Sequence, residues 1–377
     1  MIVKNELEVL KNALDSIVDH LDYWVIGDTG SDDGTQEFIK TYFEEKDIPG
    51  ELFEDEWVNF AQNRELVFRR AQGKADYLVT LDADEIFVPL TRKNEPQITK
   101  RVKKLPVFKK DLVRVYTHLQ PWVYKRAQFF KGDLPWRWAE GLHEYPYCEA
   151  PHEEEIIETI GIFTEGGGDR GKQADRVMKD IQVLEEALKE EPSARNYYNL
   201  GMTQQGRGDY EAAIIAYDNC IRLTSWDEES YLAYISKGLC LHWSNRPNEA
   251  MLSFASGTEV IPHRPEAHYH LAEQYFHKKQ FILARTILEA AMKLPFPKKD
   301  LSLVDVDVIR WKIPDVLSLC YFEEKKAKLA YKTIKKVLTD SNVRIMNKLE
   351  RQRLEANFAL FKRVAQLPRK YKREINQ

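Results

Sequence analysis

Asp22–Asp28 reads DYWVIGD, an apolar run ending on an acid, followed by Thr29–Thr35, TGSDDGT, a turn-rich stretch, and then by QEFIKTYFEE from Gln36. Phe38, Ile39, Tyr42 and Phe43 fall at helical spacing in that last piece. Strand, turn and helix in this order are half of a β-α-β unit. The pattern returns: NRELVFRRAQ from Asn63 has helical character and stops at Gly73, and ADYLVTLDADEIF from Ala75 gives a second buried strand ending in acids. Two such strands place their acids at one sheet edge, and in open α/β sheets ligands bind at the carboxyl edge.

The chain has 377 residues, 43% hydrophobic and 31% charged, enough for two or three folded domains. Lys+Arg 56 against Asp+Glu 60 leaves a net charge of -4, so no global basic field points to nucleic acid. The dense basic stretches Lys100–Lys110 and Lys362–Arg373 read as solvated faces or frayed ends. Cys148, Cys220, Cys240 and Cys320 form no C-x-x-C pair, which argues against a zinc site or a disulfide framework. No apolar run reaches the length of a membrane span, and Met1–Leu10 lacks a secretory profile. The expectation is a cytoplasmic protein with no membrane span and no nucleic-acid partner.

Composition divides the chain. Residues 1–165 carry the α/β pattern, with a Rossmann-like, mostly parallel sheet. Residues 166–192 are a glycine-rich hinge, GGGDRGK from Gly166, and a connecting helix. Residues 193–377 read as helices that repeat. Ala212, Ala250 and Ala284 align in three stretches, 38 and 34 residues apart, and a looser fourth copy centres on Ala330. A period near 34 with small residues where helices cross is the signature of tetratricopeptide helix pairs, so an all-α solenoid is expected over roughly 193–338. Leu301–Pro314, LSLVDVDVIRWKIP, falls outside the repeat and reads as an extended inter-repeat segment.

Asp82-Ala83-Asp84 is the first chemical candidate. Two carboxylates at a strand end can hold a hard divalent cation against a diphosphate, and bound metal neutralises a departing nucleoside diphosphate. On its own the pair is weak, since acids after strands are common. MIVKNE at the start, GDTGSDDGT, the NRELVFRRAQGKADYLVTLDADE block and WRWAEGLHEY occur in order. Together they resemble the GT-A-fold family 2 glycosyltransferases, and within them the subgroup whose transferase domain precedes tetratricopeptide repeats.

The resemblance implies roles by position. Val3, Glu6 and Asp28 would cradle the nucleoside, with a carboxylate accepting from the imide and ribose of uridine. Asn63 and Arg64 match the Asn-Arg pair before the acidic motif, and Arg64 would contact nucleotide or diphosphate. Asp84 would be the main ligand of Mn²⁺ or Mg²⁺, with Asp82 on ribose or metal-bound water and His143 completing the metal site. Glu144 is the expected general base, with Asp133 or Glu140 as alternatives. Trp122, Trp136, Trp138 and Tyr145 surround that segment and suit either sugar faces or a core. Arg170 and Lys172 are placed to close over the diphosphate. Two departures stand out: the chain starts directly at Met1, so the first strand is expected to be short, and the AEGLHE spelling shifts a glycine before His143.

The function implied is metal-dependent, inverting transfer of a sugar from a nucleotide sugar, preferably a UDP-sugar, to a hydroxyl of a protein, glycan or small-molecule acceptor. The repeats would bind the acceptor or a protein partner, or self-associate. The alternative is a repeat-based interaction protein whose transferase-like domain is inactive. Nucleotidyl transfer would call for a glycine-rich basic loop near the start, which this sequence lacks.

Overall fold

The computed structural model describes residues 1–139, 144–166, 176–339 and 347–366. The chain forms two compact units, Met1–Pro192 with Leu301–Leu303, and Ser193–Asp300 with Val304–Gln377.

In the first unit, β1 (Ile2–Val3), β2 (Trp24–Asp28) and β3 (Gly50–Glu54) form a parallel sheet in the order β1-β2-β3. Four of the five β2 residues are buried, as a strand covered on both faces requires, and this explains its apolar run. Trp24 fixes the register opposite Gly50, where any Cβ would lie 2.3 Å from the indole. That indole stacks on Phe43 of α2 (Thr35–Glu45), with centroids 4.4 Å apart, and donates from Nε1 to the Ile48 carbonyl at 3.0 Å. Helix α1 (Leu7–Ile17) buries Leu10, Ala13, Leu14 and Ile17, a spacing of three and four that lays one face on the sheet core. Helix α3 (Phe60–Ala71) starts on an Asn59 cap that accepts from the Gln62 amide at 2.8 Å and ends on Arg69 and Arg70.

The acidic turn follows β4 (Tyr77–Val79) and precedes β5 (Glu85–Pro89). These strands belong to a second, mixed sheet. Its order is β7-β6-β10-β5, where β6 is Leu112–Leu119, β7 is Trp122–Lys131 and β10 is Glu154–Thr164, with β4 also paired to β7. Only β10 with β6 is parallel here; the remaining pairs are antiparallel. The parallel part of the unit is thus three strands, and the antiparallel part is built mainly from residues beyond the β-α-β pattern. A small hairpin, β8 (Arg137–Ala139) with β9 (Tyr145–Tyr147), brackets the tryptophan-rich segment.

Helix α4 (Arg176–Glu190) closes the first unit. The second contains the pairs α5 (Ala194–Arg207) with α6 (Tyr210–Leu223), α7 (Asp227–Trp243) with α8 (Pro247–Val260), α9 (Pro265–His277) with α10 (Phe281–Ala291), and α11 (Ile313–Glu323) with α12 (Ala327–Thr339), then α13 (Lys348–Gln366). The first three pairs cross small on large. Gly201 sits against the Tyr217 ring, where a Cβ would come within 2.6 Å, and Gly238 sits against Phe254, where it would come within 2.4 Å. In the third pair Ala272 and Leu288, both fully buried, hold the corresponding positions. The buried crossing alanines are Ala213, Ala250, Ala284 and Ala330. The first differs by one residue from the sequence alignment, because Ala212 is spent on the helix start, donating its amide to the Asp209 cap at 3.2 Å.

The turn inside each pair takes a left-handed residue: Gly208, Asn245, Lys279 and Lys325. Leu301–Pro314 is not wholly extended, as its alternating pattern suggested. Val304–Asp305 is a two-residue strand, after which the chain turns helical from Val306, burying Val306, Val308, Trp311 and Ile313. Pro314 is tolerated because it falls in the first turn of α11. Cys220, Cys240 and Cys320 are buried, and desolvation pushes each thiol up to about 12, so all three are inert packing residues.

Candidate functional site

Val3 and Asp28 sit opposite each other in register at the ends of β1 and β2. The Val3 carbonyl accepts from the Thr29 amide at 2.9 Å and its hydroxyl at 3.2 Å. Asp28 is fully buried. Its Oδ1 accepts from the amides of Gly30 (2.9 Å) and Ser31 (2.8 Å) and from Gln36 Nε2 (3.0 Å), which folds the TGSDDGT turn around it. Its Oδ2 is buried and meets no donor among the described residues. Such an oxygen costs on the order of 1–3 kcal/mol unless something pairs with it. Glu6 precedes α1, its amide donating to Thr35 Oγ1 at 3.0 Å, which ties the first loop to the start of α2. Asp33 forms the turn, accepting from the Thr35 amide and hydroxyl at 2.9 and 2.6 Å.

The second group gathers around Arg64, one turn into α3. Its Nε donates to Glu144 Oε1 at 2.8 Å and its Nη2 to Asp82 Oδ1 at 2.9 Å, with the guanidinium 5.1 Å from the centroid of the Trp138 ring. Asp82 and Glu144, 62 positions apart in the sequence, thus share one cation. Arg126 on β7 adds a second: its Nη2 donates to Glu85 Oε2 at 2.5 Å, and its Nη1 lies 3.6 Å from Asp82 Oδ2. Glu85 Oε2 also accepts from the Asp82 amide at 3.1 Å, which tightens the acidic turn. Ala83, between the two aspartates, packs in the same core as Val3 and Ile26, so the two groups adjoin.

These contacts set the charges. Burial pushes the Asp82 carboxyl up, but Arg64 and then Arg126 outweigh it and hold the group down at about 2. Asp84 goes the other way. Burial raises it first and the Asp82 carboxylate raises it further, with Glu165 adding a smaller push. Glu85 is raised by burial, partly offset by Arg126. A carboxyl crowded by burial and by like charge is one that a divalent cation relieves, and its oxygens are the ligands a hard cation takes. Asp84 therefore fits a metal. Asp82 fits less well, because both its oxygens already face arginines. Among the described residues no three His, Cys, Asp or Glu side chains converge as a complete metal cage. His143, Glu140, Arg170 and Lys172 lie outside the described residues.

Asn63 is brought next to this cluster without pointing a free group at it. Its Oδ1 accepts from the Val58 amide and its Nδ2 donates to the Glu56 carbonyl, both at 2.9 Å, so its side chain pins the loop ahead of α3. Of the four aromatics, Trp136 is core, Trp138 backs Arg64, and Trp122 and Tyr145 are exposed. Asp133 lies just past β7. Arg126, Glu85 and Glu165 are site residues that sequence reasoning missed. Arg126 had one signal, the adjacent cations Lys125 and Arg126 in the middle of an otherwise strand-like WVYKRAQFFK. A cavity of about 760 Å³ opens between β2 and β4, lined mostly by apolar side chains; Arg64 reaches it but Asp28, Asp82, Asp84 and Glu144 do not. It is a gap between strands, separate from the acidic cluster.

An α/β unit with acids gathered at a strand end, followed by stacked helix pairs, is the class that this geometry defines. Residues 1–92 match the family model "Glycosyl transferase family 2", and residues 194–225 match a tetratricopeptide repeat model. The first unit is therefore glycosyltransferase-like, and the second carries a tetratricopeptide repeat. No curated protein matches the chain. Among solved structures, the chain is similar to MamA (18% identity, covering 45% of this chain and 91% of that one, TM-score 0.37). It is also similar to the APC/C hetero-tetramer Cut9–Hcn1 (16%, 50% and 33%, TM-score 0.37) and to TTC0263, a thermophilic tetratricopeptide protein of Thermus thermophilus (18%, 49% and 90%, TM-score 0.34). No helix among the described residues is long and apolar enough to cross a membrane.

Proposed function

We propose that the first unit is an inverting glycosyltransferase that uses a nucleotide sugar, a UDP-sugar by preference, and that the helical repeats bind the acceptor or a partner protein. The observation that supports it most is the Arg64 bridge, because it draws the expected ribose aspartate and the expected base into one site. Asp28 supports the nucleoside half, since its buried Oδ2 has room in its bonding for one donor and a uracil imide offers one. Val3 and Glu6 would flank Asp28 there, and Asn63 would act through the loop it pins, keeping Arg64 in place.

A divalent cation, Mn²⁺ or Mg²⁺, would be held mainly by Asp84, with Asp82 and His143 at its margin, and would supply positive charge beside the diphosphate. The chain's own groups do the rest. Arg64 is drawn to phosphate oxygens by bidentate geometry. As it turns toward them it releases Glu144. The acceptor oxygen then attacks the anomeric carbon as the bond to the diphosphate breaks, and Glu144 takes the acceptor proton. Arg126 keeps Asp82 ionised throughout.

The test is Glu144→Gln in the full chain. Donor binding persists while transfer to acceptor and slow donor hydrolysis fall by about 100-fold or more, the range expected for a lost general base. Loss of donor binding with the chain still folded would move Glu144 into the nucleotide shell instead.

A further inference from the structure

The connection between β5 and β6, residues 90–111, has no helix or strand beyond the single bridge of Leu90 with Pro96. Connections of this length without secondary structure are uncommon in compact domains and are usually functional. It is nonetheless anchored. Val102 is buried, Leu105 and Phe108 pack on the same core as Val113 and Phe129, and His20 Nε2 lies 3.0 Å from the Val102 carbonyl. Thr91, Asn94 and Gln97 close its first turns by backbone hydrogen bonds of 2.9, 2.9 and 3.0 Å.

What it presents outward is one-sided. Arg92, Lys93, Lys100, Arg101, Lys103 and Lys104 are all exposed, against two half-buried acids, Glu95 and, at the far end, Asp111. Arg101 pairs with Asp15 at 3.2 Å; the other five cations have no acid within ion-pair distance among the described residues. Apart from Asp15, the acids that face the segment from other elements lie at its far end, where Glu153 and Glu155 take Lys110 Nζ and the Lys109 and Lys110 amides. Two aliphatic side chains project from the same connection, Ile98 at 53% and Val107 at 79% exposure, the latter the most exposed large apolar residue among the described residues. No exposed aromatic accompanies them.

We infer that residues 92–107 dock the protein on a bilayer surface rich in anionic lipid. Clustered lysines and arginines are attracted to such a surface, and protruding aliphatics gain by entering its interface. A soluble polyanion, duplex nucleic acid included, would use the charges but leave Ile98 and Val107 in water, and a single strand would favour aromatic stacking that this segment lacks. The chain as a whole carries -4, so the attraction is local to this face. The inference does not depend on the transferase reading.

The experiment is flotation of the full chain with vesicles of phosphatidylcholine alone and of phosphatidylcholine with phosphatidylglycerol, at low and high salt. Binding is expected only with phosphatidylglycerol, and salt should weaken it. Lys103→Glu with Lys104→Glu replaces two attractive charges by two repulsive ones and should lower partitioning by more than the roughly 30-fold that losing the two lysines alone would cost. Val107→Ser should lower it several-fold at constant charge. All three side chains are exposed, so these variants keep the native fold, and an unchanged circular-dichroism melt checks that. No binding to either vesicle, equal binding to both, binding indifferent to the double charge reversal, or capture by a soluble acidic polysaccharide without vesicle binding would each overturn it.

Discussion

Arg64→Met removes the cation from the centre of the acidic cluster while keeping most of its volume. Arg64 and Glu144 are each only 12% exposed, whereas Asp82 is 36% exposed and can recover water. Breaking a buried pair by deleting one partner costs about 3–5 kcal/mol. With Asp82 partly hydrated, about 3 kcal/mol is the reasonable expectation. Hydrogen exchange read by mass spectrometry localises that loss, since peptides covering α3, β4 and β5 should lose protection on the order of 100-fold while the helical repeats stay unchanged. There is also a pH signature. Asp82 is depressed from 3.8 to about 2, so its contribution is present above its unfolded value and is lost as pH falls through the folded one. After discounting for its exposure, that slope amounts to about 1 kcal/mol between about pH 4 and pH 2. Arg64→Met should shrink the slope without abolishing it, because Arg126 stays 3.6 Å from Asp82. Unchanged protection in those peptides, with the same acid slope as the parent, would refute the bridge as an organising contact.

Further substitutions probe other parts of the chain. Asp84→Asn should hold or slightly raise the neutral-pH melting temperature, because a carboxyl raised by burial and by Asp82 loses folded-state stability as pH climbs past its unfolded value; a fall of several degrees would contradict that. Gly238→Ala drives a methyl into Phe254 and should cost about 1–3 kcal/mol in the helical-unit transition followed by circular dichroism. Lys279→Gly and Lys325→Gly relieve left-handed residues at φ 59° and 63° and should each stabilise that transition by about 0.5–1 kcal/mol, visible as a higher denaturation midpoint. Glu266→Ala takes from the fully buried Arg264 the nearer of two acids, Glu266 Oε1 at 2.5 Å against Asp300 Oδ2 at 3.9 Å, and should cost about 3 kcal/mol by the same denaturation.

The local patterns carried much of this. DYWVIGD is legible as a buried strand because both faces of β2 are covered, and the helical spacing of Phe38, Ile39, Tyr42 and Phe43 reports the face that α2 lays on it. The repeats are legible because one packing solution, a small residue against a large one, recurs at nearly constant period. What stays hidden is whatever long-range pairing decides. Arg126 reaches Asp82 only because β7 runs antiparallel to β4 and β6, a pairing no local pattern states. Asn63 has a residue type that suits a nucleotide, yet both ends of its amide are taken by the preceding loop. LSLVDVDV reads as an extended inter-repeat segment, but only Val304–Asp305 is a strand, and the chain is already helical ahead of α11, where Val308 and Trp311 are buried. The offset at Ala212 shows the same limit, since a cap bond and a crossing contact differ by one position.

The most direct measurement is a thermal-shift series with nucleotide sugars on the full chain, each with Mn²⁺ and with a chelator, run in parallel on Asp84→Ala. A ligand that binds only the folded state raises the melting temperature by mass action, by about 2.7 kcal/mol of added stability at a hundredfold excess over Kd. A glycosyltransferase site built on Asp28, Arg64 and Asp84 requires a shift with one UDP-sugar and Mn²⁺ that chelation removes and Asp84→Ala abolishes. No shift with any nucleotide sugar while the protein remains folded, or a shift indifferent to both chelator and Asp84, would contradict it.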